Sequence, residues 1–142
     1  MQKNHSLRFL NRTDGAAALE FAIIAPVFFL TVFSMIAYGI YLGAAHSVQQ
    51  LSADAARAAV AGLSQSERQS LAENFIEKST MHHPFIDAHK LKIAAVDDAT
   101  NPNQFTVTLK YDARDLPIWS LYSYAMPGKE ITGFSTIRLG GM

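Results

Sequence analysis

The chain has 142 residues with 12 basic and 12 acidic side chains, so its formal net charge is zero. Without a basic run there is no electrostatic footprint for nucleic acid, and a nucleic-acid partner is not expected. Cysteine is absent, which excludes a disulfide framework and a thiolate metal site.

Residues 1–15, MQKNHSLRFLNRTDG, form a short leader with Lys3, Arg8 and Arg12 against a single acid, Asp14. A positive flank before an apolar helix places that flank on the cytoplasmic side, with the chain beyond the helix outside. The next stretch, Leu19 to Ala45, reads LEFAIIAPVFFLTVFSMIAYGIYLGAA, and Glu20 is its one charge. Phe21 to Ala53 contains no Asp, Glu, Lys or Arg. As a helix, Phe21 to Ala45 spans roughly 37 Å, and a bilayer core needs about 20 apolar residues. This is the pattern of a transmembrane helix. A secretory signal is the competing reading, with Gly43-Ala44-Ala45 as its cleavage box, but its apolar region is usually only about 7–15 residues.

Pro26 is expected to bend this helix or to mark its regular start. Thr31 and Ser34 have hydroxyls able to bond back to their own turn. Ala37, Gly39, Gly43 and Ala44 offer small surfaces for close helix approach. Tyr38 and Tyr41 stand towards the outer end, where interfacial aromatics belong. Glu20 has two readings. It is an interfacial carboxylate favoured near a helix N-terminus, or it is a charge that requires a partner in the membrane.

The junction Arg12-Thr13-Asp14-Gly15 followed by Ala16-Ala17-Ala18-Leu19-Glu20-Phe21 and then an Ala25-Pro26 pair resembles a class III prepilin-type leader. It is most similar to the TadE-like family of tight-adherence (Flp) pilus assembly proteins, which are pilin-like. The close match runs from Arg12 to about Tyr41, and beyond it the likeness is one of layout. The resemblance implies cleavage by a prepilin peptidase between Gly15 and Ala16. It also implies an assembly role for Glu20, fifth in the mature chain, and for the adjacent Phe21. The implied setting is the bacterial inner membrane, crossed once, with the C-terminal domain periplasmic. The implied partners are the peptidase, other pilin-like subunits and the pilus assembly machinery.

After Ala45 the helical pattern continues without a breaker. Val48, Leu51, Ala55 and Ala58 recur at helical spacing up to Gly62. Ser64 with Glu67, or Ser66 with Gln69, would cap a second helix ending near Ser79. Leu71, Ala72, Phe75 and Ile76 would form its apolar stripe. His82, His83, Asp87 and His89 cluster around Pro84, but their spacing matches no metal motif, and a solvated loop is expected. Three strands should follow. Lys90–Val96 and Gln104–Tyr111 form a hairpin with a polar connection at 97–103, and Glu130–Leu139 is apolar on both sides, so central or helix-covered. The connection from Asp112 to Lys129 is crowded with apolar and aromatic residues around Trp119. It lies against the outer leaflet, meets a partner, or folds over its own core. Asp112, Arg114 and Asp115 are expected at the surface.

The expected fold is α+β: a transmembrane helix continuing into a polar helix, a second helix, and a mainly antiparallel sheet of about three strands. The expected divisions are a cytoplasmic leader at 1–15, the long helix at 16–62 and a small extracytoplasmic head at 63–142. No nucleophile–base pair, metal motif or phosphate loop is present, so neither enzyme activity nor a cofactor is expected. The expected function is that of a minor pilin or assembly component of a Flp-type pilus. The alternative is a single-pass anchored interaction domain unrelated to pili.

Overall fold

Helix α1 runs from Thr13 to Ala59 in one piece of 47 residues, a rod of about 70 Å. The structure, a computed structural model, describes residues 13–80, 83, 85–101, 103–121 and 126–139. Pro26 lies inside α1, so it does not mark the start of the regular helix. Ordinary helix formers precede it for three turns, and one missing N–H does not stop a helix of this length. Thr31 Oγ1 donates to Val27 O at 2.8 Å and Ser34 Oγ to Leu30 O at 2.7 Å, as their positions imply.

A turn at Val60–Gly62 reverses the chain into α2, Gln65–Ser79. Of the two possible caps, Ser64 with Glu67 forms. Ser64 Oγ accepts from Glu67 N at 3.2 Å, and Glu67 Oε2 accepts from Leu63 N at 2.8 Å. The two side chains satisfy backbone donors that the first helical turn leaves open. The turn is tight at Gly62, where a Cβ would stand 2.7 Å from the Arg68 backbone nitrogen.

A 3-10 turn at Ala88–Lys90 leads into β1, Leu91–Asp97. Strand β2 is Gln104–Asp112 and β3 is Glu130–Arg138, with the short helix α3, Ile118–Leu121, between them. The sheet is antiparallel in the order β1-β2-β3. Ile93 pairs Leu109, which pairs Gly133, and Ala95 pairs Val107, which pairs Ser135. The inward side of β2 is Phe105, Val107, Leu109 and Tyr111, all buried, as its alternation predicts. β3 is helix-covered, but it is an edge strand and not a central one. Its second apolar side, with Phe134 62% exposed, faces outward.

Both long helices lie on one face of the sheet, α1 against β2 and β3 and α2 against β1. The closest approach is at Gly133, where an added Cβ would come within 2.9 Å of Val48 O. The buried stripe of α1 is Val48, Leu51, Ser52, Ala55, Ala56 and Ala59. Ala59, not Ala58, closes the stripe, because a run of alanines gives no size contrast by which the sequence marks a face. On α2 the buried residues are Arg68, Ala72 and Ile76.

Candidate functional site

Two regions of α1 differ in what surrounds them. From Gly15 to Ile36 no residue is buried. Ile23 is 67% exposed and Met35 70%, on a stretch that carries no charge beyond Glu20. Among the described residues this is the one helix long and apolar enough to cross a membrane. A soluble core helix would bury such a surface. Coverage begins at Ala37, which is fully buried, and continues through Ala44 and Val48. Gly39 and Gly43 lie on the open side of α1 with nothing within 4 Å of an added Cβ. The head therefore uses Ala37 and Ala44 and leaves the glycine face free.

The residues of the leader junction sit in the first turns of α1. Gly15, Ala16, Glu20 and Phe21 are all exposed. Glu20 has no ion-pair partner among the described residues. The basic leader residues Lys3, Arg8 and Arg12 lie outside the described residues.

The head is fixed to α1 and α2 by contacts that sequence spacing does not reveal. Gln49 of α1 closes the free edge of β3: its Nε2 donates to Phe134 O at 2.9 Å and its Oε1 accepts from Phe134 N at 3.3 Å. Gln69 of α2 does the same for the free edge of β1. Its Nε2 donates to Ile93 O at 3.2 Å, and its Oε1 accepts from Ala95 N at 2.6 Å. Each side-chain amide thus stands in for one residue of a missing neighbouring strand. Arg68 is the buried charge among the described residues of the head. Its Nε and Nη2 donate to the two oxygens of Asp97 at 3.1 and 2.6 Å, and Nη1 donates to Gly62 O at 2.8 Å. The guanidinium carbon lies 5.4 Å from the Phe105 ring centroid. A fork donor matches a carboxylate bidentately and tolerates an aromatic face, so one side chain ties the α1–α2 turn to β1 and β2.

Among the described residues, the acids that invited chemistry bond locally. Asp87 Oδ1 accepts from His89 N at 3.0 Å and caps the 3-10 turn. Among the described residues no group of three His, Cys, Asp or Glu side chains could hold a metal, and His82 and Pro84 lie outside them. Asp112 pairs with Arg114, whose Nε is 2.9 Å from both oxygens, and this bonding pushes the Asp112 carboxyl down to about 2. Asp115 pairs with Lys90 at the surface. Asp98 organises the β1–β2 connection. It accepts from Thr100 Oγ1 and Thr100 N at 2.7 Å each, from Gln104 Nε2 at 2.7 Å and from Asn101 N at 3.2 Å. These donors, led by the Thr100 hydroxyl, hold its carboxyl far below the ordinary range. A cleft of about 260 Å³ among Lys90, Lys92, Lys110, Asp112, Arg114, Lys129 and Glu130 is charged, unlike the mostly apolar pockets that hold small ligands.

Within the connection from Asp112 to Lys129, Leu116 and Ile118 are buried and Trp119 and Met126 are partly so. Trp119 Nε1 donates to Ala113 O at 2.6 Å. Over its described residues the segment folds on the head's own core, and α3 packs on α1. Residues 122–125 lie outside the description.

A family model described as TadE-like protein matches residues 15–57. That span begins at Gly15 and ends two residues before the end of α1. No curated protein and no solved structure matches the chain.

Proposed function

We propose that this chain, which matches the TadE-like family model over residues 15–57, acts without chemistry of its own as a minor pilin or assembly component of a Flp-type pilus. The observation that carries the reading is a coincidence of two spans. The family match covers the part of α1 whose apolar surface is open from Gly15 to Ile36. A long apolar helix joined rigidly to a small α+β head is the layout of a subunit that is held in a membrane and handed to an assembly. Its setting would be the bacterial inner membrane, with the head periplasmic. Its partners would be a prepilin peptidase, other pilin-like subunits and the pilus machinery. Residues 1–15 would be the cytoplasmic leader, 16–62 the helix and 63–142 the head.

In this reading the peptidase cuts between Gly15 and Ala16. Both residues are exposed, and nothing stands within 4 Å of a Cβ added at Gly15. Glycine also weakens the helix locally, which favours opening of the first turn into a protease cleft. The test is intact-mass analysis of protein purified from its native membrane. A chain starting at Ala16 is expected, and a chain starting at Met1 when the peptidase is deleted. A Met1 terminus in cells with active peptidase overturns the reading, and a terminus near Ala45 replaces it with secretion.

A further inference from the structure

The free and covered parts of α1 set the height of the head above the membrane. Counting about 20 residues for the hydrocarbon from Phe21, the first residue after Glu20, ends the core near Ile40. The head already covers one face of α1 at Ala37, which is fully buried. Tyr41 Oη donates to Gly128 O at 3.3 Å, so the chain just before β3 lies at the level of Tyr41. The lower end of the head therefore overlaps the last turn of the membrane segment. If the span starts earlier, at Ala16, the same end rests on the membrane surface.

The residues at that level are of the type that interfaces select. Tyr38 and Tyr41 belong to α1, where Leu42 is 61% exposed. The Trp119 indole is held by its bond to Ala113 O, and Lys129 Nζ lies 5.7 Å from its ring centroid. Among the described residues Lys129 stands outside the ion pairs of this end of the head, in which Lys110 takes Glu130, Arg114 takes Asp112 and Lys90 takes Asp115. Tryptophan and tyrosine rings are enriched at the headgroup level of membranes, and a lysine beside them reaches its ammonium towards phosphate.

We propose that the lower end of the head is a lipid-binding foot: Trp119 sits in the headgroup layer of the outer leaflet and Lys129 meets a phospholipid phosphate. The proposal rests on the membrane-spanning reading of α1. Its consequence is that the head does not swing above the bilayer but stands on it.

Trp119 is the single tryptophan of the chain, so its fluorescence reports this position without labelling. The full chain is reconstituted in vesicles of phosphatidylglycerol and phosphatidylethanolamine, doped with phosphatidylcholine brominated near the headgroup or near the chain end. Shallow bromines are expected to quench Trp119 more than deep ones, and iodide to quench it weakly. A control carrying Trp119→Phe with Phe29→Trp reads the membrane helix itself, and deep bromines should quench it more. If the control behaves so while Trp119 ignores both bromolipids, the foot is overturned and the membrane reading stands. Weak iodide quenching without bromolipid quenching overturns it in favour of a protein contact at the same place. A control blind to bromines overturns the membrane reading and the foot with it. Lys129→Glu is expected to lose shallow quenching that Lys129→Arg keeps, and no loss in the glutamate variant overturns the phosphate contact.

Discussion

Arg68 is where a single side chain holds most. Its side chain is 6% exposed and that of its partner Asp97 33%. Truncation would leave Asp97 without its fork donor and Gly62 O without a donor. Arg68→Ala is therefore expected to lower stability by about 3 kcal/mol, the lower end for breaking a buried pair because Asp97 keeps some water. Arg68→Lys should recover part of the charge but not the two-pronged geometry. Urea unfolding of the detergent-solubilised protein, followed by circular dichroism, measures both. None of this was legible in the sequence. Arg68 and Asp97 are 29 residues apart, and Arg68 reads there as one more polar residue on an amphipathic helix. Glu20 is the opposite case, since its isolation in an apolar run is visible at once. An unpaired carboxylate drawn into hydrocarbon is costly, and the amine freed at Ala16 by cleavage would be its natural counter-charge. Glu20→Gln is expected to be cleaved and inserted yet poorly recruited into its assembly. Crosslinking to the pilus machinery beside a surface-adhesion assay checks this, and normal recruitment would leave Glu20 an interfacial residue.

At the scale of elements, the sheet shows what a pattern does and does not carry. The alternation in Gln104–Tyr111 located β2 and its inward side because the side-chain period of a strand is two. The neighbouring strands were legible from their apolar positions, and the start of α2 as one of two capping boxes, of which Ser64 with Glu67 forms. The seating of β3 against α1 was not, since it depends on the absence of a side chain at Gly133 opposite the Val48 carbonyl. Gly133→Ala would push backbone against backbone, and a loss of about 1–3 kcal/mol is expected, as for overpacking. The melting temperature measures it, and an unchanged value would mean that strand and helix separate freely. The glutamine clamps also escaped the sequence reading, because an edge strand cannot be told from a central one without knowing the strand order. The β1–β2 connection adds a dependence on pH. The Asp98 carboxyl is depressed below its ordinary 3.8 in the folded protein. Its contribution is therefore fully present above pH about 4 and is lost as pH falls towards the folded value. Protection of the Thr100 and Asn101 amides from hydrogen exchange should fall over that interval. In Asp98→Asn it should be lower at neutral pH and nearly flat below pH about 4.

For the whole molecule, α+β architecture and a helix long and apolar enough to cross a membrane were legible because the two signals are long: an uncharged run, then alternating strands. The placing of Leu116 and Ile118 was not legible, since an apolar segment reads alike whether it faces lipid, a partner or its own core. Only the fold decides, and it buries both. Orientation remains an expectation from the basic leader. A periplasm-dependent reporter fused at the C-terminus is expected to be active and a cytoplasm-dependent one silent. The reverse pattern would turn the molecule over.

The unbroken course of α1 through anchor and head also makes the molecule a compass. One helix runs through both parts, so the azimuth of the head follows that of the helix. Shifting the register of the anchor against a membrane neighbour by one residue turns the helix by about 100° and swings the outward side of the sheet, with Phe134 and the bonded hydroxyls of Thr106 and Thr136, through the same angle. If α1 spans a membrane, which neighbour those side chains meet outside it is thus decided by a choice of contact face within it.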